Sequence, residues 1–529
     1  MVNNLAGQVK GMHMRATSWV VIGVLALAGC QPSTVGEAEV DAPTAAPTAA
    51  TQSGVVAGER TDGIAIFRGI PYAAAPTGER RWAPPAAAPA WQGVRSATGF
   101  GPACPQPKVP PPFGVDGPTS EDCLFLNVWT PDDADASARP VLVWIHGGAF
   151  VIGSGSQPIY DGRALAAQGV VVVTFNYRMG ALGFLNHRAF QGQDGGAANF
   201  GLLDQIAALK WVQHNIAAFG GDPENVTIAG ESAGGLSVQA LMAGPLAQSL
   251  FHKAIIQSGG GLSAMAEARD AAALAAGDAW AASLGVDANA SAADLRALPV
   301  EKIVQAHFIS FPSIDGNVLE RNPTESFARG EQAHVPLLIG ANSWEASLAI
   351  LNDAYAQTLL GSQYETLLES YRAQGLDETK ARDQLRTDLF FVQPARHLAA
   401  LHARQHPTWL YHFEMVPASM RALQPGAAHG GELAYLFATP ASVFTSWDDE
   451  DRAVSRDMIG YWTHFAAAGN PNRPDLPDWR QVDDGEFLVF KTPLRMASPS
   501  PQDRKTLDII VTTAQPWLTP VGGHDSTPD

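Results

Sequence analysis

Three segments of the 529-residue chain carry side chains whose types and spacing could do chemistry. Gly230-Glu231-Ser232-Ala233-Gly234 fits G-x-S-x-G, and it lies between the apolar run VTIAG and a helical run beginning at Ala233. Small residues on both sides of Ser232 permit a sharp strand-to-helix turn that lifts the hydroxyl out of a sheet. A serine hydroxyl is a weak nucleophile. It needs a base to take its proton, a carboxylate to orient the base, and donors for the oxyanion. The run VLVWIH ends at His146 and is followed by Gly147, Gly148 and Ala149, a turn that exposes backbone N–H groups. Of the 14 histidines, His214 and His464 fall in helical patterns, and His146 reads as a residue that shapes the turn. His429, in the Gly-rich stretch PGAAHGGELAYLF, follows the serine in chain order and is the candidate base, although residue type alone leaves other histidines open. Glu345 follows the apolar run VPLLIGAN and lies between Ser232 and His429 in sequence, where an orienting acid belongs. Asp315, in PSIDGNVL, is its rival, and a turn role suits it as well.

These residues need strand ends to hold them. VLVWIH, VVVVTFNY, VTIAG, AIIQSG and VPLLIGAN are near-continuous apolar runs bounded by small or polar residues, the pattern of parallel strands buried on both faces. Between them, NFGLLDQIAALKWVQHNIAAFG sets Leu202, Ile206, Leu209, Val212 and Ile216 on one helical face. Strand–helix–strand alternation predicts one doubly wound α/β domain. Two helix-rich stretches, residues 263–285 and 358–385, carry no strand pattern and are expected to be peripheral or cap helices. No internal repeat is visible.

Apolar residues make up 46% of the chain and charged residues 16%, a globular rather than disordered balance. The net charge of −18 and the lack of any Lys/Arg cluster exclude a nucleic-acid partner. Residues 1–30 have a basic start, an apolar run at 19–28 and small residues before Cys30, the form of an export signal. Residues 31–54 are rich in Ala, Pro and Thr and read as a tether. The folded domain is expected from 55 to 520, with a flexible tail at 521–529. Cys104 and Cys123 are the two cysteines besides Cys30; in an oxidising compartment they are expected to bridge, the alternative being two buried thiols.

The segment Leu27-Ala28-Gly29-Cys30 resembles a bacterial lipobox, which implies a lipid-anchored protein of the cell envelope, joined to a membrane only through Cys30. From about Val55 onward the chain resembles the type-B carboxylesterase family of α/β hydrolases, which includes the cholinesterases. The resemblance is carried by FRGIPYAAAPTGERRWAPP, SEDCLFLNVWTP, NYRMGALGFL, the stretch from Asn199 to Gly235, HKAIIQSGG and YWTHFAAAGNPN, in family order. It implies the α/β-hydrolase fold, a large, mostly parallel twisted sheet flanked by helices with cap insertions. It also implies hydrolysis of a carboxylic ester through an acyl-enzyme, with Ser232, Glu345 and His429 as the triad. Oxyanion donors would be the N–H groups of Gly148, Ala149 and Ala233, with Glu231 and Ser258 supporting the triad from behind. The loop around His429, Gly430 and Glu432 matches the family's histidine loop. Where the family often carries Asp-Glu-Gly, this chain has Trp344-Glu345-Ala346, which leaves the shape of that turn open. No metal or cofactor is expected. The segment between Cys104 and Cys123 has Phe113 as its single aromatic and no Trp, which disfavours choline esters. Amides, thioesters or lactones are alternative substrates of the same machinery, and a non-catalytic binding protein is the reading from another class. An unperturbed imidazole base predicts activity rising through about pH 6 to 7.

Overall fold

The computed structural model describes residues 45–518 apart from 111, 116, 133–137, 191–197, 260–270, 288, 307, 309–310 and 444. The export signal with Cys30, most of the 31–54 tether and the 521–529 tail lie outside the described residues. Among the described residues the strands are β1 (Thr48–Thr51), β2 (Gly54–Ala57), β3 (Glu59–Thr61), β4 (Ile64–Pro71), β5 (Val94–Ser96), β6 (Phe125–Pro131), β7 (Arg139–Ile145), β8 (Val171–Phe175), β9 (Gly221–Glu231), β10 (Lys253–Gln257), β11 (Leu337–Asn342), β12 (Thr408–Phe413), β13 (Phe487–Phe490) and β14 (Arg495–Ala497). An 11-stranded sheet runs β14-β13-β12-β11-β10-β9-β7-β8-β6-β4-β3, and β1, β2 and β5 form a small second sheet. The large sheet is parallel from β8 to β13 and antiparallel at both margins.

The main helices are α1 (Phe200–Asn215), α2 (Ala233–Ala243), α3 (Ala271–Ser283), α4 (Gln363–Ala373), α5 (Glu378–Thr387), α6 (Gln393–Ala403) and α7 (Asp449–Ala468). Side chains alternate across each central strand and so feed two separate cores. Val141, Val143 and Ile145 of β7 join Leu202, Ile206 and Leu209 of α1 on one face. Leu142 and Trp144 join Met458, Trp462 and Phe465 of α7 on the other. Each aliphatic side chain buried this completely stabilises the fold by about 1.5–3 kcal/mol. A strand buried on both faces must be apolar at every position, which is why these runs do not alternate in sequence.

The register aligns the carboxyl ends of the central strands. Gly230 of β9 lies opposite Ile145 of β7 and Ile256 of β10, while Gln257 of β10 lies opposite Gly340 of β11. The turns that follow β7, β9, β10 and β11 therefore emerge side by side, the position at which open α/β sheets place their ligands.

One expected boundary moves. β1 lies inside the stretch read as tether, so the fold begins before Val55. Its sequence TAAT has almost no apolar signal. It is a strand because it pairs antiparallel with β2, Thr48 opposite Ala57, and buries Ala49. Cys104 and Cys123 are joined in a disulfide, and both are buried.

Candidate active site

Ser232 directly follows β9 and immediately precedes α2, with φ +56° and ψ −123°. A non-glycine residue at such angles is strained by about 1–3 kcal/mol and persists only where its surroundings dictate it. Here the Ser232 N–H donates to the Gln257 carbonyl at 2.9 Å. The flanking glycines are steric requirements. A Cβ on Gly234 would lie 2.0 Å from the Ile145 carbonyl oxygen, and one on Gly230 would lie 2.5 Å from the Gly234 carbonyl carbon.

The structure brings Ser232, His429 and Glu345 into one hydrogen-bonded line. His429 Nε2 is 2.9 Å from Ser232 Oγ, and His429 Nδ1 is 2.6 Å from Glu345 Oε2. Glu345 is fully buried. Its other oxygen, Oε1, accepts from the Ser258 hydroxyl at 2.6 Å and from the Asn342 N–H at 2.7 Å. With Oε2 facing Nδ1, the proton on the imidazole belongs at Nδ1, which leaves Nε2 free to accept from Ser232. The loops that carry Glu345 and His429 are laced together. Trp344 N–H donates to Ala427 O, Ala427 N–H to Ser343 Oγ, and His429 N–H to Ser347 Oγ, at 2.8, 2.9 and 2.8 Å. Asp315, the rival acid, is elsewhere: its carboxylate accepts from the N–H groups of Asn317, Val318 and Leu319 and from Asn199. His146 is stacked on Tyr177, its Nδ1 faces the Gly147 carbonyl oxygen, and burial lowers its pKa to about 4, consistent with a turn-shaping role. His214 and His464 sit on α1 and α7.

Three buried carboxylates surround the imidazole. Glu231 Oε1 lies 3.3 Å from His429 Nε2, Glu345 occupies the other side, and Glu432, three residues after His429 in the same turn, acts on it through its charge. Glu432 accepts from Gln257 and Asn342, and Gln257 in turn accepts from Trp462 Nε1 at 2.9 Å. Burial pulls the imidazole pKa down, but the negative charges of Glu231, Glu345 and Glu432 outweigh it and raise His429 to about 9. Burial raises Glu231 to about 8 against the opposing pull of His429, and burial with Glu345 raises Glu432. The cluster therefore holds a proton well above the pH 6 to 7 expected of a free imidazole. Glu231 and Ser258 stand where the sequence reading expects them. Glu432, Asn342 and Ser347 were not singled out as site residues. Glu432 has a sequence signal in the match of the histidine loop, whereas Asn342 and Ser347 have only proximity, lying within three residues of Glu345.

The turn after β7 has three successive left-handed residues, Gly148 (φ +105°), Ala149 (+54°) and Phe150 (+59°). Gly148 cannot be larger, because its Cβ would lie 2.1 Å from the Ile152 carbonyl oxygen. A Cβ on Gly147 would lie 2.8 Å from Glu231 O and 3.2 Å from Ser232 Cβ, so this turn packs directly on the serine turn. Ala233 occupies the first position of α2, where a helix leaves its N–H unpaired. Beside His429 the wall is apolar: a π-helical turn at Asp388–Val392, between α5 and α6, sets the Phe391 ring 5.0 Å from the imidazole.

A strained serine between strand and helix, facing a histidine and a buried acid at the strand ends, defines an α/β-hydrolase. The family profile described as "Carboxylesterase family" matches residues 45–506. The chain is 38% identical to the para-nitrobenzyl esterase of Bacillus subtilis (strain 168), over 80% of this chain and 90% of that one. It is 37% identical to the fumonisin B1 esterase of Sphingopyxis macrogoltabida, over 83% and 85%. A solved Geobacillus stearothermophilus carboxylesterase superposes with a TM-score of 0.76 at 35% identity, covering 87% of this chain and all of the other. The protein belongs to the carboxylesterase family, and its activity is that of a carboxylesterase.

Proposed function

We propose that this protein hydrolyses carboxylic esters through a serine acyl-enzyme. Ser232 Oγ attacks the ester carbonyl as its proton passes to His429 Nε2. Glu345 holds the tautomer and stabilises the imidazolium that forms. The N–H groups of Gly148, Ala149 and Ala233 receive the oxyanion. The C–O bond to the alcohol breaks, and His429 protonates the departing oxygen. Water then attacks the acyl-enzyme with His429 again taking a proton, the bond to Ser232 breaks, and the acid leaves. The observation that carries this reading is the line of contacts from Ser232 Oγ through His429 to Glu345, at 2.9 and 2.6 Å. The apolar ring of Phe391 beside the imidazole, and the absence of Trp between Cys104 and Cys123, favour an ester with an apolar acyl or alcohol part over a quaternary ammonium ester.

Ser232→Ala is expected to lower kcat by about a millionfold, the scale on which serine triads depend on their nucleophile. It is also expected to abolish covalent labelling by an organophosphate. Labelling that persists in Ser232→Ala refutes the assignment. The lipobox-like LAGC supports a second element of the proposal, an envelope protein acylated at Cys30. Metabolic labelling with a fatty acid is expected to mark the mature chain and to be lost in Cys30→Ala. An unlabelled mature chain refutes it.

A further inference from the structure

The two residues that flank Glu345 both reach the same helix. The Trp344 indole Nε1 donates to Asp383 Oδ2 at 2.9 Å, and the Ala346 N–H donates to Thr387 Oγ1 at 3.2 Å. Asp383 and Thr387 are four residues apart, on one face of α5. Trp344 is also tied through its backbone N–H to Ala427 in the histidine loop. Its φ of −138° and ψ of 59° lie outside the regular regions, so external contacts hold its conformation. Asp383 is itself fixed by Arg386, and Thr387 is buried. α5 runs straight into the π-helical turn that sets Phe391 against His429. One helical segment thus touches the acid turn on both sides of Glu345 and the imidazole on its outer face.

We propose that Trp344 and Asp383 are positioning residues for the reaction, clamping the acid turn to α5 so that Glu345 Oε2 stays within hydrogen-bond distance of His429 Nδ1. Neither touches the reacting atoms. Both act through Glu345. The inference rests on the triad assigned above, and organophosphate labelling of Ser232 tests that triad separately.

Trp344→Phe keeps an aromatic ring and removes the N–H. With a chromogenic p-nitrophenyl ester, kcat is expected to fall about tenfold, short of the roughly hundredfold that a 1 Å misplacement produces. KM is expected to stay unchanged. His429 faces Glu231, Glu345 and Glu432, and a slackened Glu345 holds its proton less strongly. The acidic limb of the pH–rate profile is therefore expected to move to lower pH. A residue serving stability alone would lower Tm without moving kcat or the limb. Asp383→Asn retains an oxygen acceptor for the indole and is expected to keep most of kcat, whereas Asp383→Ala is expected to match Trp344→Phe. The double variant Trp344→Phe with Asp383→Ala is expected to be no slower than the slower single variant, as coupled partners require. Unchanged kcat and an unmoved limb in Trp344→Phe overturn the proposal, whatever happens to Tm. Equal losses in Asp383→Asn and Asp383→Ala also overturn it. If Trp344→Phe does not fold, the two Asp383 variants read the same clamp.

Discussion

Glu231→Gln removes one of the three carboxylates facing His429 and preserves the side chain's volume. Glu231 Oε1 is 3.3 Å from His429 Nε2. At an effective dielectric constant of about 20, that separation is worth about 5 kcal/mol. Raising the imidazole from 6.5 to about 9 corresponds to about 3 kcal/mol at about 1.4 kcal/mol per pH unit. The Glu231 charge alone therefore exceeds the whole net rise, and burial offsets the excess together with what Glu345 and Glu432 add. Without it, burial is opposed only by Glu345 and Glu432, and the imidazole falls back toward its ordinary range. Glu231 itself is raised to about 8, so around neutral pH it carries only part of its charge, and the displacement observed will be smaller than the full value. We expect the acidic limb of kcat/KM, which reports the free enzyme, to move down by at least about one pH unit. The sign follows from the base being active when neutral: rate is lost as pH falls through the imidazole's pKa, so a lower pKa extends activity into acid. The assay is hydrolysis of a p-nitrophenyl ester from about pH 5 to 10. A limb that stays within about 0.3 pH unit, or moves upward, refutes the electrostatic account.

Burial pushes Asp388 in the π-helical turn up to about 6, with Tyr371, Gln384, Arg396 and Asp503 around it. A carboxyl raised from 3.8 to about 6 costs the native state about 3 kcal/mol once ionised, a penalty absent below about pH 4 and complete above about pH 6. Asp388→Asn, which can still accept from Tyr371, is therefore expected to gain up to about that much stability at pH 8 and almost nothing at pH 4, in urea titrations; an equal difference at both refutes this. Replacing Cys104 and Cys123 by Ser opens a loop of sequence separation 19 and is expected to cost about 3 kcal/mol; urea midpoints that match with and without the bridge refute it.

The reacting residues were legible because each lies in a local motif with its own chemical logic. Gly-x-Ser-x-Gly needs only sterics, the acid needs a strand end, and chain order selects the histidine. The central strands were equally plain, since burial on both faces leaves continuous apolar runs such as VLVWIH and VTIAG. Short margins were not. β1 is made of Thr and Ala, and only its pairing with β2 makes it a strand. The direction in which the imidazole is shifted was not legible for a related reason. The imidazole's pKa is set by Glu231, Glu345 and Glu432, which come from three distant segments, so their summed field exists only in the fold. The contribution of α5 was invisible too: in sequence it is one of several polar helices, and its importance lies in what Trp344 and Ala346 reach.

Ser232 and His429 touch across 197 residues of chain, and Glu345 and Ser258 across 87. The turns bearing Ser232, Ser258 and Glu345 hang from three consecutive parallel strands, β9, β10 and β11. Such non-local pairings close late, because their loop entropy must be met before their contacts form. A fragment that lacks β9, β10, β11 or the His429 loop lacks part of this site. During refolding, ester hydrolysis should thus return only once β9, β10, β11 and the His429 loop have assembled, and enzyme activity becomes a clock for completion of the central sheet.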